Sequence, residues 1–240
     1  MSEFTPHFAP IVVLLFLGAV LFAALSVLVL FYGAARRSKF YAVVGATAAI
    51  SVVAGYALLL CGVSLASSEK DLPPGGWKYF CEIDCHLAYS ITGAHTAAVI
   101  GPEMQQTSAH GQFVIVRLKT WFDEHSISPR RGDGALVPNP RRLVLVDEAG
   151  RTFARSQEGE AALLLQGSSS TPLTESLRPG ESYTTYLVFD IPKDARGSRL
   201  WIAEDDPESR LVIGHENSFL HKKIYLSLEA TAASAKISAQ

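Results

Sequence analysis

The residues best suited to chemistry lie in one short stretch of the sequence. Cys81 and Cys85 are four positions apart, and His86 follows directly. Two thiols at this spacing beside an imidazole can form a disulfide, remain reduced as buried side chains, or bind a soft or borderline metal such as copper. On a straight strand, residues four apart are separated by about 13 Å, so a disulfide would need a turn, a bulge or a helical turn. The disulfide or redox interpretation assigns Cys81 and Cys85, and the metal interpretation adds His86.

The rest of the sequence contains no catalytic set with a recognisable spacing. Nucleophile elbows, phosphate-binding loops, zinc-protease motifs and dinucleotide fingerprints are all missing from it. The other histidines of the charged part lie apart from one another without the spacing of metal ligands: His95, His110, His125, His215 and His221. We therefore predict no catalytic residues and no resident cofactor, with copper at Cys81, Cys85 and His86 as the alternative.

Charge is distributed unevenly along the chain. The first 66 residues carry only Glu3, Arg36, Arg37 and Lys39 as fully charged side chains, whereas 18 basic and 22 acidic residues lie beyond Ala66. This mixture without long runs of one sign gives no basic face for a phosphate backbone, which argues against nucleic acid as a partner.

Two long apolar segments make up most of this uncharged part. Residues 10–32 contain no charge, and as a helix they span about 35 Å, enough for a bilayer core of about 30 Å. Residues 41–66 form a second such segment. The first is too long for the apolar part of a signal peptide and has no basic residues before it. We predict two transmembrane helices, a short tail at residues 1–9 and a loop at residues 33–40.

The basic residues between the two helices predict their orientation. Arg36, Arg37 and Lys39 are grouped in the loop, and such groups stay in the cytoplasm. The N-terminus and everything after the second helix are therefore expected on the extracytoplasmic side of the cell (inner) membrane. Small residues four apart in the second helix, such as Gly45 and Ala49, predict close helix packing, either against the first helix or against another membrane protein.

The charged part has the pattern of an all-β domain. Residues 67–76 read as a linker rich in Pro and Gly, residues 77–230 as a β-sandwich, and residues 231–240 as a flexible tail. Strands are predicted at residues 113–122, 143–146, 151–154, 183–191, 200–203, 211–213 and 224–228, with one or two helical turns at residues 159–165. In the strand at residues 183–191, Leu187 and Phe189 are expected to face one way and Tyr186 and Val188 the other.

One segment of this domain carries a family resemblance. Residues 177–192 read LRPGESYTTYLVFDIP, a Leu-x-Pro-Gly-Glu turn followed by a strand that ends in Phe-Asp-x-Pro. With the strand at residues 111–116, this segment resembles bacterial extracytoplasmic immunoglobulin-like domains of unknown function, related to a secreted mycobacterial immunoprotective antigen. The resemblance implies an outward-facing immunoglobulin-like sandwich and carries no catalytic residues over to this chain.

The two helices and the cysteine pair also resemble a second family, the copper-bearing subunit of haem-copper oxidases. The motif of that family is Cys-x3-Cys-x3-His-x2-Met, and Cys81 and Cys85 match its thiols. Tyr89 stands where the motif has His, and Thr92 stands where it has Met. The leading hypothesis is a membrane-anchored interaction module, with an accessory subunit of a membrane complex as a narrower form of it and a copper-binding or thiol-redox protein as the alternative. Its expected partners are the lipid bilayer and another membrane or extracytoplasmic protein.

Overall fold

The chain begins with a pair of long apolar helices. The computed structural model describes residues 9–80, 86–128, 130–204 and 207–228. Helix α1 covers Ala9–Ala35 and helix α2 covers Lys39–Ala66, so only three residues join them. Both helices are long and apolar enough to cross a membrane, with mean hydropathies of 3.0 and 2.1. The two predicted helices are confirmed, each within three residues of its predicted limits.

Glycine allows the two helices to approach closely. A methyl group on Gly45 of α2 would collide with the backbone of α1 at Ser26 and Leu30. Near the connection, a methyl group on Gly33 would collide with the backbone of Ala42. The predicted packing of the small residues of α2 against the first helix is thus confirmed at Gly45.

Within the described residues, nine strands follow the helices and are arranged in two sheets. The strands are β1 (Lys70–Leu72), β2 (Lys78–Phe80), β3 (Leu87–Ile100), β4 (Thr107–Phe122), β5 (Arg141–Val146), β6 (Thr152–Phe153), β7 (Ser182–Ile191), β8 (Arg199–Glu204) and β9 (Ile224–Ser227). The first sheet has the order β1-β9-β8-β5-β6 and the second has the order β2-β3-β4-β7. Helix α3 (Gln157–Leu165) lies between β6 and β7, where helical turns were expected.

The core lies between the two sheets. Phe189 of β7 and Leu145 of β5, which belong to different sheets, are both completely buried in the same apolar cluster. Leu187 points into this cluster with Phe189, whereas Val188 packs with Leu163 of α3 on the opposite face of the sheet. The predicted alternation of β7 is therefore confirmed, and so is the all-β sandwich behind an apolar helical pair.

The segment that carries the family resemblance forms a turn and a strand as expected. Gly180 has a φ of +83°, which favours glycine, and β7 ends at Ile191, directly before Pro192. Asp190 has a role that the pattern did not reveal, since its carboxylate accepts hydrogen bonds from the backbone N–H groups of His110 (2.8 Å) and Gly111 (3.1 Å). Burial raises the pKa of Asp190, but these bonds and the His110 side chain outweigh it and lower the pKa overall.

Two predicted segments differ in the structure. Leu211–Ile213 is not a strand: residues 207–211 form a 3-10 helix, and successive turns follow. The apolar run is too short to choose between these conformations by itself, and here it packs with α2 through a hydrogen bond from Tyr56 to Leu211. Residues 70–72, inside the segment predicted as linker, form strand β1.

The chain divides into two compact units. One contains α1, α2 and residues 207–223, and the other contains the sandwich with α3. In sequence, residues 207–223 thus fall between β8 and β9 but belong to the unit of the helices.

Candidate functional site

The region around the predicted cysteine site begins with strand β2. Lys78 and Phe80 point inward, whereas Tyr79 between them is exposed. Lys78 is only 2% exposed, and its ammonium group donates hydrogen bonds to the carbonyl oxygens of Ile202 (2.7 Å) and Ile224 (2.9 Å). These carbonyls belong to β8 and β9, so the lysine connects the two sheets through the core. A buried ammonium group is tolerated here because carbonyl oxygens replace its water.

A second cation is buried beside the first. The side chain of Arg141 is 1% exposed, its NH1 atom lies 3.2 Å from a carboxylate oxygen of Glu204, and its guanidinium lies 4.4 Å from the ring centre of Phe80. The ammonium group of Lys78 lies 5.3 Å from the same ring centre. Both distances fall within the range of cation–π attraction. The Phe80 ring is therefore within cation–π distance of two buried cations.

The other side of this region is a polar cluster around Asp123. Its carboxylate accepts hydrogen bonds from the hydroxyl of Tyr79 (3.1 Å) and the backbone N–H of His125 (2.9 Å). Burial raises the pKa of Tyr79, and the hydrogen bond to Asp123 and its negative charge raise it further. The cluster joins β2 to the turn that follows β4.

His86 is buried at the start of β3. Its ring stacks on Phe122 at 5.8 Å between centres and 13° between planes, and its Nδ1 lies 2.9 Å from the hydroxyl oxygen of Ser126. The same hydroxyl lies 3.0 Å from the carbonyl oxygen of Asp123, and when it donates its proton there, Nδ1 of His86 is the donor to Ser126. A serine nucleophile needs the opposite direction of donation. The pair therefore positions the ring rather than activating the serine.

The structure places the remaining predicted site residues as follows. Cys81 and Cys85 lie outside the described residues, and the strands on either side of them are antiparallel neighbours with Phe80 opposite Leu87. Tyr89 is completely buried in the core, and Thr92 is hydrogen-bonded to Arg117. These two positions, which a copper motif would give to His and Met, thus have structural roles.

The other histidines are not gathered into one site. His110 bonds to Asp190, His125 to Asp123, and His221 to the carbonyl oxygen of Lys222 at 2.7 Å. Within residues 9–80, 86–128, 130–204 and 207–228, no group of three His, Cys, Asp or Glu side chains is placed to hold a metal ion.

A groove of about 420 Å³ beside α3 is a feature that the sequence did not indicate. Its lining combines the ion pair of Arg155 and Glu160 with leucines of α3 and a rim rich in hydroxyl groups: Leu163, Leu164, Ser168, Ser170, Thr171, Thr174, Thr185 and Tyr186. Both nitrogen–oxygen distances of the ion pair are 2.7 Å. Ser156 caps α3 by accepting a hydrogen bond from Gly159 N–H (3.1 Å), which fixes the helix at the groove.

The edge of β7 next to this groove is already occupied. The carbonyl oxygen of Val188 accepts a hydrogen bond from Ser156 N–H (2.7 Å), and that of Thr184 accepts one from Thr171 N–H (3.0 Å). Tyr186 N–H donates to the hydroxyl of Ser170 (2.9 Å). A ligand at this place would therefore contact side chains instead of adding a strand to the sheet.

Comparison with solved structures finds several bacterial proteins that are similar to this chain at low identity. The chain is similar to MPT63, a secreted protein from Mycobacterium tuberculosis, with 11% identity, coverage of 67% of this chain and 97% of that one, and a TM-score of 0.41. A conserved hypothetical protein from Bacillus anthracis has 15% identity, coverage of 52% and 85%, and a TM-score of 0.39. An uncharacterized β-sandwich protein from Clostridium difficile has 9% identity, coverage of 68% and 96%, and a TM-score of 0.38.

The predicted resemblance to secreted or uncharacterized bacterial β-sandwich proteins is confirmed by these neighbours. At such identities the likeness concerns the fold alone and assigns no activity to this chain. No protein-family model and no curated protein matches the sequence.

Proposed function

We propose that this protein is a membrane-anchored binding module whose sandwich faces the extracytoplasmic side and binds another protein at the groove beside α3. The observation that carries the proposal is the pairing of this groove with exposed leucines at the end of α3. Leu164 and Leu165 are 54% and 61% exposed, and Leu164 lines the groove itself. Apolar side chains left in water beside a concave surface are typical of a protein-binding site.

The chemistry of the groove fits a polypeptide partner. Its leucines offer an apolar contact, and its serine and threonine side chains can exchange hydrogen bonds with a peptide backbone. The Arg155 guanidinium is neutralised by Glu160, so the groove gives no preference for a strongly charged ligand. The helical pair would hold this surface near a membrane partner, as an accessory subunit of a membrane complex requires.

The basic loop between the helices supports the proposed orientation. Arg36, Arg37 and Lys39 lie at the connection of α1 and α2, and such clusters are retained in the cytoplasm. The sandwich follows α2 and would then lie on the opposite side of the membrane.

Site-specific crosslinking tests the binding surface. A photoreactive benzoylphenylalanine is placed at Leu164 of the full-length chain in its native cells, and the matched control carries it at Val137, which is similarly exposed outside the groove. We expect one discrete crosslinked product from position 164, absent from position 137 and lost when Leu165→Glu is added. Equal products from both positions, or none from position 164, would refute the assignment of the groove.

A further inference from the structure

The segment between β8 and β9 makes contacts with the C-terminal end of α2 and the residues just after it. Residues 207–223, here called the β8–β9 segment, form one compact unit with the helices. The hydroxyl of Tyr56 in α2 donates a hydrogen bond to the carbonyl oxygen of Leu211 (2.7 Å). Farther along the chain, the backbone N–H of Lys222 donates to the hydroxyl of Ser67 (2.9 Å).

These contacts give the segment a depth in the membrane. A bilayer core of about 30 Å takes about 20 helical residues. If the core begins just after Lys39, it ends near Leu59. Tyr56 then lies about 5 Å inside that boundary and Ser67 about 12 Å outside it. The β8–β9 segment therefore lies at the level where acyl chains meet headgroups, and tyrosine is enriched at this level.

The surface of the segment is apolar where it is exposed. Leu211, Phe219 and Leu220 are 43%, 54% and 63% exposed. Leu220 has a φ of +63°, a conformation that favours glycine or asparagine. A leucine at such a position exposes its side chain at a cost in backbone energy. Contact of this side chain with water gives no favourable energy that would offset the cost.

The backbone and the charges of the segment suit the same location. Several of its backbone N–H groups bond within successive turns, as in the bonds from His215 to Val212 (3.1 Å) and from Ser218 to His215 (2.9 Å). Such bonds lower the cost of bringing the backbone close to the acyl chains. The cations of Arg210 and Lys222 are exposed at either end of the apolar residues, where anionic headgroups would attract them.

From these observations we propose that the β8–β9 segment is a lipid-binding surface that inserts Leu211, Phe219 and Leu220 into the leaflet at the C-terminal end of α2. The partner is the bilayer itself, because Leu211 lies beside Tyr56 of α2 and the segment belongs to the same compact unit as the two apolar helices. The segment would add a third membrane contact to the two helices and thereby limit the rotation of its unit. This inference is independent of the proposed groove and of the side on which the sandwich lies.

Depth-dependent fluorescence quenching tests the proposal on the full-length chain. The full-length protein with the substitution Phe219→Trp is reconstituted in nanodiscs of phosphatidylcholine and phosphatidylglycerol. These lipids carry bromine on the acyl chain near the headgroup. The unsubstituted protein supplies the background of Trp77, Trp121 and Trp201, and Leu58→Trp on the exposed face of α2 supplies the lipid-buried reference. Free N-acetyltryptophanamide supplies the reference for iodide quenching in water.

We expect the added tryptophan to be quenched by brominated lipid to at least half the extent of the Leu58→Trp reference and to be protected from iodide several-fold. Leu211→Trp should behave in the same way, which guards against a local effect of one substitution. Iodide quenching close to that of the free compound would overturn the proposal. Protection from both quenchers would also overturn it, because it would indicate contact with protein instead of lipid.

Discussion

Replacing Lys78 by Met should destabilise the sandwich although the new side chain is apolar and of similar length. Buried ion pairs can often be replaced by apolar residues without loss, because both charges leave together. Here the acceptors are the backbone carbonyls of Ile202 and Ile224, which no substitution at position 78 removes. A hydrogen bond from a charged donor contributes about 1.5–3 kcal/mol, and burial of the methionine offsets part of the loss of two such bonds, so we expect a loss of about 2–6 kcal/mol.

The assay follows unfolding of the full-length chain in mild detergent by urea. All three tryptophans, Trp77, Trp121 and Trp201, lie beyond the helices, so their fluorescence reports on the sandwich alone. With a slope of about 2 kcal/mol per molar urea, the midpoint should fall by roughly 1–3 M. The control Lys193→Met changes an exposed lysine and should stay within about 0.5 kcal/mol of the parent. A Lys78→Met midpoint equal to that of this control would refute the reasoning.

Three further predictions concern the helices, the acid stability and the cysteines. Gly45→Val should weaken the packing of the helical pair by about 1–3 kcal/mol because the valine side chain meets the backbone of α1, whereas Gly18→Val, with open space around it, should not. The measurement is the loss of compact gel mobility with increasing SDS. Equal behaviour of the two variants would contradict the packing. The lowered pKa of Asp190 means that its carboxylate stabilises the fold above the unfolded pKa of about 3.9 and that this contribution is lost as the pH falls through the lower folded pKa. Asp190→Asn should therefore lower the urea midpoint at pH 7 and make it less sensitive to acid, and an unchanged midpoint at pH 7 would exclude this role. For the cysteines, we predict a disulfide between Cys81 and Cys85, so that unfolding without reductant exposes one reactive thiol per chain, that of Cys61, and reduction exposes all three. Three reactive thiols without reduction would rule the disulfide out. Bound copper that is lost in a Cys81→Ser, Cys85→Ser variant would favour the metal alternative.

Much of the fold follows from simple patterns in the sequence. The helices were recognisable because uncharged apolar segments of that length rarely form any other structure. Strand β7 was recognisable because its residues alternate between two apolar faces. Strand β3 was missed although it is 14 residues long. Gly93 and several alanines weaken its pattern, and register shifts near Gly93 and Val99 interrupt its alternation.

The candidate sites depended more strongly on tertiary contacts. Lys78 reads as a polar residue on a short strand, and only the carbonyls of β8 and β9 show why it is buried. The groove beside α3 forms from separate parts of the chain, so no local pattern indicates it. Similarly, Leu211–Ile213 resembles a strand in sequence, and its packing with α2 decides otherwise.

The proposed placement of the sandwich can be tested by protease accessibility in oriented membrane vesicles. A tag is added after Gln240, and protease is applied separately to right-side-out and inverted vesicles from the native cell. If the hairpin holds the binding module outside the cytoplasm, the tag and the sandwich are removed from right-side-out vesicles and protected in inverted ones. Removal from inverted vesicles with protection in right-side-out vesicles would contradict an extracytoplasmic binding module.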